Sequence, residues 1–169
     1  YSHRVILEDS ENESRRWPAM VEDAESHCDN PSAIIHVMDR VADNYFLFSK
    51  LILNGRRFVI RSSHDRMLEQ IGGEESSKIS DILSKSVARA ERDVTLSRRL
   101  IGNRSHISKR QFPPRQQRKA TLSIAAASVA LKKPETLSRD YPSTLTLNVV
   151  RVWEKNPPLD VAPIEWILL

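Results

Sequence analysis

The chain contains a single cysteine, Cys28. One thiol excludes an internal disulfide and any cysteine-cluster zinc site, and it suits a reducing cytosol. No apolar run approaches the ~18 residues that a membrane-spanning helix needs. Glycine is equally sparse, at four residues, too few for enzymes built on Gly-rich phosphate loops. The chain opens Tyr1-Ser2-His3-Arg4, without an initiator Met or a signal-peptide h-region, so it reads as starting mid-protein or after processing. What remains is 169 residues, 40% hydrophobic and 28% charged, enough for one ordinary domain or a core with one insertion.

The net charge of +4 averages two opposite segments. Residues 1–30 carry three basic and eight acidic side chains, whereas residues 89–119 carry ten basic against two acidic, eight of the ten being arginine. The basic run includes Arg98, Arg99, Arg110, Arg115, Arg118 and Lys119. Arginine forks match phosphate oxygens, so the run is a candidate nucleic-acid contact; a solvated loop whose charge serves solubility is the alternative.

Trp17, Met20, Val21, Ala24 and Cys28 form one stripe at helical period, with Ser14 placed to cap the helix and Asn30-Pro31 to stop it. Residues 33–38, Ala-Ile-Ile-His-Val-Met, read as a short strand buried on both faces. A second helix follows, starting at Asp43 or Asn44, with Phe46, Leu47, Leu51 and Ile52 inward and Asn54-Gly55 as its left-handed stop. Residues 57–61 then resume as a strand. Strand, helix, strand over about thirty residues is a βαβ unit with parallel strands. Beyond Ser63 the pattern changes to a Gly72-Gly73 loop, a short helix capped by Ser80 around Ile82, Leu83 and Val87, and antiparallel strands near 94–96, 120–126, 128–131, 144–153 and 164–169. The stretch 102–114 reads as an exposed loop. The expected division is therefore a polar connection at 1–13, an α/β core fragment at 14–63 and a β-rich part at 64–169.

Asp39 stands at the carboxyl end of the first strand, where open α/β sheets bind ligands. It is a candidate Mg²⁺ ligand, or simply a turn cap. Arg57 and Arg61 stand at the two ends of the second strand, Arg61 near the sheet edge where Asp39 and Arg40 emerge, and a carboxylate beside arginines suits phosphodiester chemistry. His36 is expected to be a packed core histidine, and Cys28 a small buried hydrophobe. Ser62, Ser63 and His64 lack a nucleophile elbow, so a hydrolase triad is rejected.

The segment from Ala33 to Asp43, with Ile34-Ile35-His36-Val37-Met38-Asp39-Arg40, followed by a helix and Arg57-Phe58-Val59-Ile60-Arg61-Ser62-Ser63-His64, resembles the middle of DDE transposases of the IS4 class. Glu13-Ser14-Arg15-Arg16-Trp17, the basic strand from Pro114 to Ser123, Leu145 to Val150, Asn156-Pro157-Pro158 and Pro163 to Leu169 are similar to further pieces of that family in the same order. The resemblance implies an RNase H-like core with an inserted, mainly antiparallel β subdomain. It implies metal-dependent cleavage and strand transfer of double-stranded DNA at transposon ends, with Mg²⁺ (or Mn²⁺) as cofactor, a bacterial cytoplasmic, nucleoid-associated setting and a parent protein dimeric on DNA. Asp39 becomes the second of three catalytic carboxylates and a metal ligand. Arg61 matches a DNA-facing position, and Trp166 an aromatic near the transposon end, where a stacked base is worth ~1–3 kcal/mol. Arg115, Arg118 and Lys119 would neutralise phosphates. The family's first Asp and its Glu have no match. Asp9 imitates the first, but it lies thirty residues before Asp39 with one helix between, too close for the strands that should intervene. The expected activity is that of a complete transposase, with this chain inactive alone. The alternatives are a non-catalytic DNA-binding remnant and a plain α+β domain whose basic loop contacts protein.

Overall fold

The computed structural model describes residues 13–69, 77–99, 115–159 and 161–169. The Gly72-Gly73 loop, the 102–114 stretch, the 1–12 connection and Arg110 lie outside these residues. The described chain is a mixed α/β protein with a two-stranded parallel sheet and a four-stranded sheet of order β3-β4-β5-β6. The elements are α1 (Glu13–Ser26), β1 (Ile35–Met38), α2 (Tyr45–Leu53), β2 (Arg57–Ile60), α3 (Ile79–Ser84), β3 (Ala90–Leu96), β4 (Arg118–Lys132), β5 (Thr144–Glu154) and β6 (Glu165–Leu168).

The expected βαβ unit forms. β1 and β2 pair in parallel, with Ile35 opposite Arg57 and Met38 opposite Ile60. Between them α2 starts at an Asn44 cap whose side chain accepts from the Phe46 N–H at 2.9 Å. It ends through Gly55, whose φ of 64° is a left-handed conformation that a side chain disfavours. Leu47, Phe48 and Leu51 of α2 are buried, each stabilising by roughly 1.5–3 kcal/mol through burial.

By compactness the chain forms two units. The first takes in residues up to 86 with 126–151 and 166–169, and it holds one hydrophobic core of Ala42, Tyr45, Leu47, Phe48, Leu51, Ile60, Leu68, Ile79, Leu83, Val129, Leu131, Leu145, Leu147, Val149 and Leu169. The second takes in 87–125 and 152–165. Its centre is the antiparallel pairing of β3 with β4, Ala90 opposite Ile124 and Leu96 opposite Arg118. The boundary drawn at residues 63 and 64 followed the change of composition, whereas compactness groups the βαβ segment with parts of the long strands.

Several local expectations are corrected. β1 is not buried on both faces: Ile35 is 52% and Val37 76% exposed, while His36 and Met38 face the core side. One side of β1 packs inward, where His36 meets Glu25 of α1, and the side that carries Ile35 and Val37 is exposed. Residues 120–126 and 128–131 belong to one fifteen-residue strand. α1 already includes Ser14, which is therefore not its cap, and the stripe narrows to Trp17 and Val21 against the core. Met20 is exposed within the helix, and Cys28 is exposed beyond its end at Ser26. α3 is capped by Lys78 rather than Ser80, whose N–H and hydroxyl both donate to Asp65 at 3.0 and 2.8 Å. Val87 lies beyond α3 and is exposed. Among the described residues no helix is long and apolar enough to cross a membrane.

Candidate nucleic-acid interface

In parallel strands joined by a crossover, the carboxyl ends emerge side by side, and here they deliver Asp39 and Arg61. The Arg61 N–H donates to the Met38 carbonyl at 3.2 Å, closing the β1–β2 ladder at its last rung. Arg61 Nη1 then lies 4.0 Å from Asp39 Oδ1. On its other side β2 meets the end of the chain: Ile60 and Leu169 exchange N–H···O bonds of 2.9 and 2.8 Å, and Ser62 N–H donates to the Ile167 carbonyl at 2.7 Å. Arg61 is thereby paired antiparallel with Leu168. Trp166 stands two residues back along β6, on the same face as Leu168. Its ring centroid is 5.8 Å from the Arg61 guanidinium, a cation–π contact.

The Asp39 side chain is 72% exposed and that of Arg61 29%; Trp166 is 37% exposed. A carboxylate, a guanidinium and an aromatic face thus open to solvent together. Burial, and then the charge of Arg40, push the Arg61 pKa below its ordinary value, with Asp39 offsetting part of this. Arginine stays charged at neutral pH regardless, so the cluster keeps a cation beside its carboxylate.

The expected Mg²⁺ has one candidate ligand here. Mg²⁺ takes converging oxygen donors in octahedral geometry. Asp39 faces an arginine instead of a second carboxylate, and among the described residues no group of three or more His, Cys, Asp or Glu side chains could hold a metal ion. These residues do not form a Mg²⁺ site by themselves.

Behind the exposed cluster lies a carboxylate that sequence reasoning treated only as a helix start. Asp43 is fully buried and paired with Arg66, whose Nη2 and Nε reach Oδ1 at 2.6 and 3.0 Å. Burial pushes the Asp43 carboxyl up. The Arg66 charge and the N–H groups of Ser63 and His64 outweigh this and hold it below the ordinary range. The Ser62 and Ser63 hydroxyls also donate to Asp43. His36 is a satisfied core histidine: Nε2 lies 3.1 Å from Glu25 of α1, which also takes Arg56 at 2.8 Å.

In the second unit the predicted basic residues separate. Arg98 and Lys119 are exposed, and Arg99 and Arg115 are half-buried where their backbones exchange two hydrogen bonds. Arg115 Nε further donates to the Ser97 carbonyl at 3.0 Å. Arg118 differs. Both of its terminal nitrogens donate to Glu154, whose side chain is 2% exposed. That guanidinium serves an internal ion pair. The outward face of the β3–β4 pair is mixed in charge, since Glu91 binds Lys155 at 2.8 Å and Asp93 accepts from Thr121 at 2.7 Å. No family model matches the chain.

Proposed function

We propose that the chain is part of a DDE-type DNA transposase of the IS4 class, with Asp39 as its second catalytic carboxylate and Arg61, Arg40 and Trp166 as DNA contacts beside it. The observation that supports this reading most is the Asp39–Arg61–Trp166 group at two strand ends. The Arg61 fork neutralises and orients a phosphate next to Asp39, and its contact with Trp166 holds the fork in one orientation. The half-exposed indole offers a face for a base lying beside that phosphate. Arg98, Arg99, Arg115 and Lys119 add phosphate contacts, which position DNA without reading its sequence. In this reading the core is RNase H-like, the Mg²⁺ or Mn²⁺ of the reaction is bound with carboxylates beyond those described, and the active assembly is a dimer on double-stranded DNA in the bacterial cytoplasm.

A second reading, a DNA-binding module without catalysis, is favoured by the lone carboxylate. Both readings predict that the 169-residue chain binds duplex oligonucleotides with an affinity that falls steeply with salt, by about 0.9 log units per log unit of salt for each phosphate neutralised. Fluorescence anisotropy across a salt series measures it. Binding absent even at low salt refutes both readings and leaves a plain α+β domain.

A further inference from the structure

Asp43 has no part in the phosphate contacts of the reading above, yet its carboxylate accepts six hydrogen bonds. Its place in the chain explains what they join. The turn after β1 begins at Asp39 and closes at Asp43, where the Asp43 N–H donates to the Arg40 carbonyl at 3.0 Å. The loop after β2 begins directly after Arg61. Asp43 Oδ2 gathers that loop, taking the N–H groups of Ser63 and His64 at 2.5 and 2.9 Å and the hydroxyls of Ser62 and Ser63 at 3.2 and 3.1 Å. Oδ1 takes the Arg66 fork, and Arg66 Nη2 returns to the Asp43 carbonyl at 2.8 Å. Arg66 is itself held over the Phe48 ring of α2 at 5.1 Å.

We propose that Asp43 is a positioning residue, the clamp that locks the two strand exits together so that Asp39 and Arg61 address one phosphodiester. This rests on the reading of the Asp39–Arg61–Trp166 group as a phosphate-handling site. Simpler duties do not account for the arrangement. Asn44 already caps α2, and an ion pair alone requires only the Arg66 fork. The four bonds to Ser62, Ser63 and His64 instead spend a buried carboxylate on a loop whose Ser63 and His64 are exposed. Asp39 and Arg61 sit at the last rung of a four-residue ladder, where pairing frays unless something beyond it holds. The Asp43 clamp lies directly beyond that rung.

Asp43→Asn keeps an acceptor for Arg66 but turns an amide N–H₂ towards donors that need an oxygen. In the 169-residue chain, Arg61→Ala is expected to weaken binding of a duplex with a short single-stranded end by about tenfold, the loss of one charge-assisted contact. Asp43→Asn should weaken it by a similar factor and cost nothing further in the Arg61→Ala background, because it acts through Arg61. Additive losses, or a folded Asp43→Asn with wild-type affinity, overturn the proposal. Should Asp43→Asn fail to fold, Ser63→Ala gives a smaller loss with the same dependence on Arg61. A second readout needs no DNA. With fluorotryptophan at all three positions, Asp43→Asn should shift the ¹⁹F signal of Trp166 and leave those of Trp17 and Trp153 in place. An unmoved Trp166 signal overturns the clamp, whereas a moved signal in a chain that binds no DNA retains the clamp and refutes the phosphate-site reading.

Discussion

Replacing Arg118 by Met separates an internal role from a DNA-binding one. Arg118 carries its charge against Glu154, whose carboxylate is almost without solvent and also takes the Ile164 N–H at 3.3 Å. The Glu154 N–H in turn donates to the Ile164 carbonyl at 2.8 Å, so this carboxylate closes the base of the loop between β5 and β6. Truncating one partner of a buried pair costs ~3–5 kcal/mol, because the other charge is stranded. Arg118 retains 17% of its side-chain surface, enough for water to reach part of the fork, which favours the low end, about 3 kcal/mol. Urea unfolding followed by circular dichroism reads this as a lower midpoint at unchanged slope. Acid sharpens the test. The Arg118 hydrogen bonds hold the Glu154 pKa below the ordinary carboxylate range, with burial opposing and the Ile164 N–H assisting. A depressed folded-state pKa gives stability that is present above the unfolded value, ~4.3, and lost as pH falls through the folded one. Without Arg118 burial is left to raise the Glu154 carboxyl, so this part of the acid loss should disappear, and the deficit of Arg118→Met should be largest near neutral pH and narrow as pH falls below ~4.3. Lys119→Met, one residue along and exposed, should change stability by less than ~0.5 kcal/mol while weakening duplex binding. An Arg118→Met variant that keeps the wild-type urea midpoint and loses as much DNA binding as Lys119→Met would refute an internal role for Arg118.

Three further outcomes follow from the geometry. Asp43, whose pKa is also held down, adds to acid sensitivity in the same direction: stability falls as pH drops below ~4, and Asp43→Asn should flatten that part of a melting-temperature profile. Val37→Lys places charge on the bare side of β1, where Val37 is 76% exposed; stability should stay within ~0.5 kcal/mol, and light scattering should report less self-association, since lysine blunts an exposed strand. Gly55→Ala meets open space but must hold φ at +64°, so it should cost ~1–2 kcal/mol, measured by thermal unfolding.

The βαβ unit was legible because each of its signals is local. Asn44 and Asn54-Gly55 bracket α2 through their own backbone chemistry, and the apolar run before Asp39 could only be a strand or a buried helix segment. The bare face of β1 was not legible, since Ile35 and Val37 are apolar and nothing in the sequence tells which faces are covered. Asp39 and Arg61 were found together because both follow short strands of one unit. Trp166 was reached through family resemblance alone; its contact with Arg61 bridges 105 positions, and no periodicity encodes that. Asp43 and Arg66 were missed as a pair. An aspartate just before a helix reads as a cap, and the donors that fill its carboxylate, Ser62, Ser63 and His64, lie 19 to 21 residues away. The Arg118 ion pair was not legible for a related reason: charge counting treats every arginine in a basic run alike, and Glu154 lies 36 residues further on.

Asp39 is proposed as a catalytic carboxylate for phosphodiester chemistry on DNA, and one measurement tests that role directly. The protein expressed from its complete reading frame, incubated with end-labelled duplex DNA carrying the transposon ends and with Mg²⁺ or Mn²⁺, should cleave strands at those ends. Asp39→Ala should abolish that cleavage while leaving duplex binding within a few-fold of wild type, because phosphate contacts, not the carboxylate, carry the affinity. Metal-dependent cleavage that persists in Asp39→Ala would contradict the account.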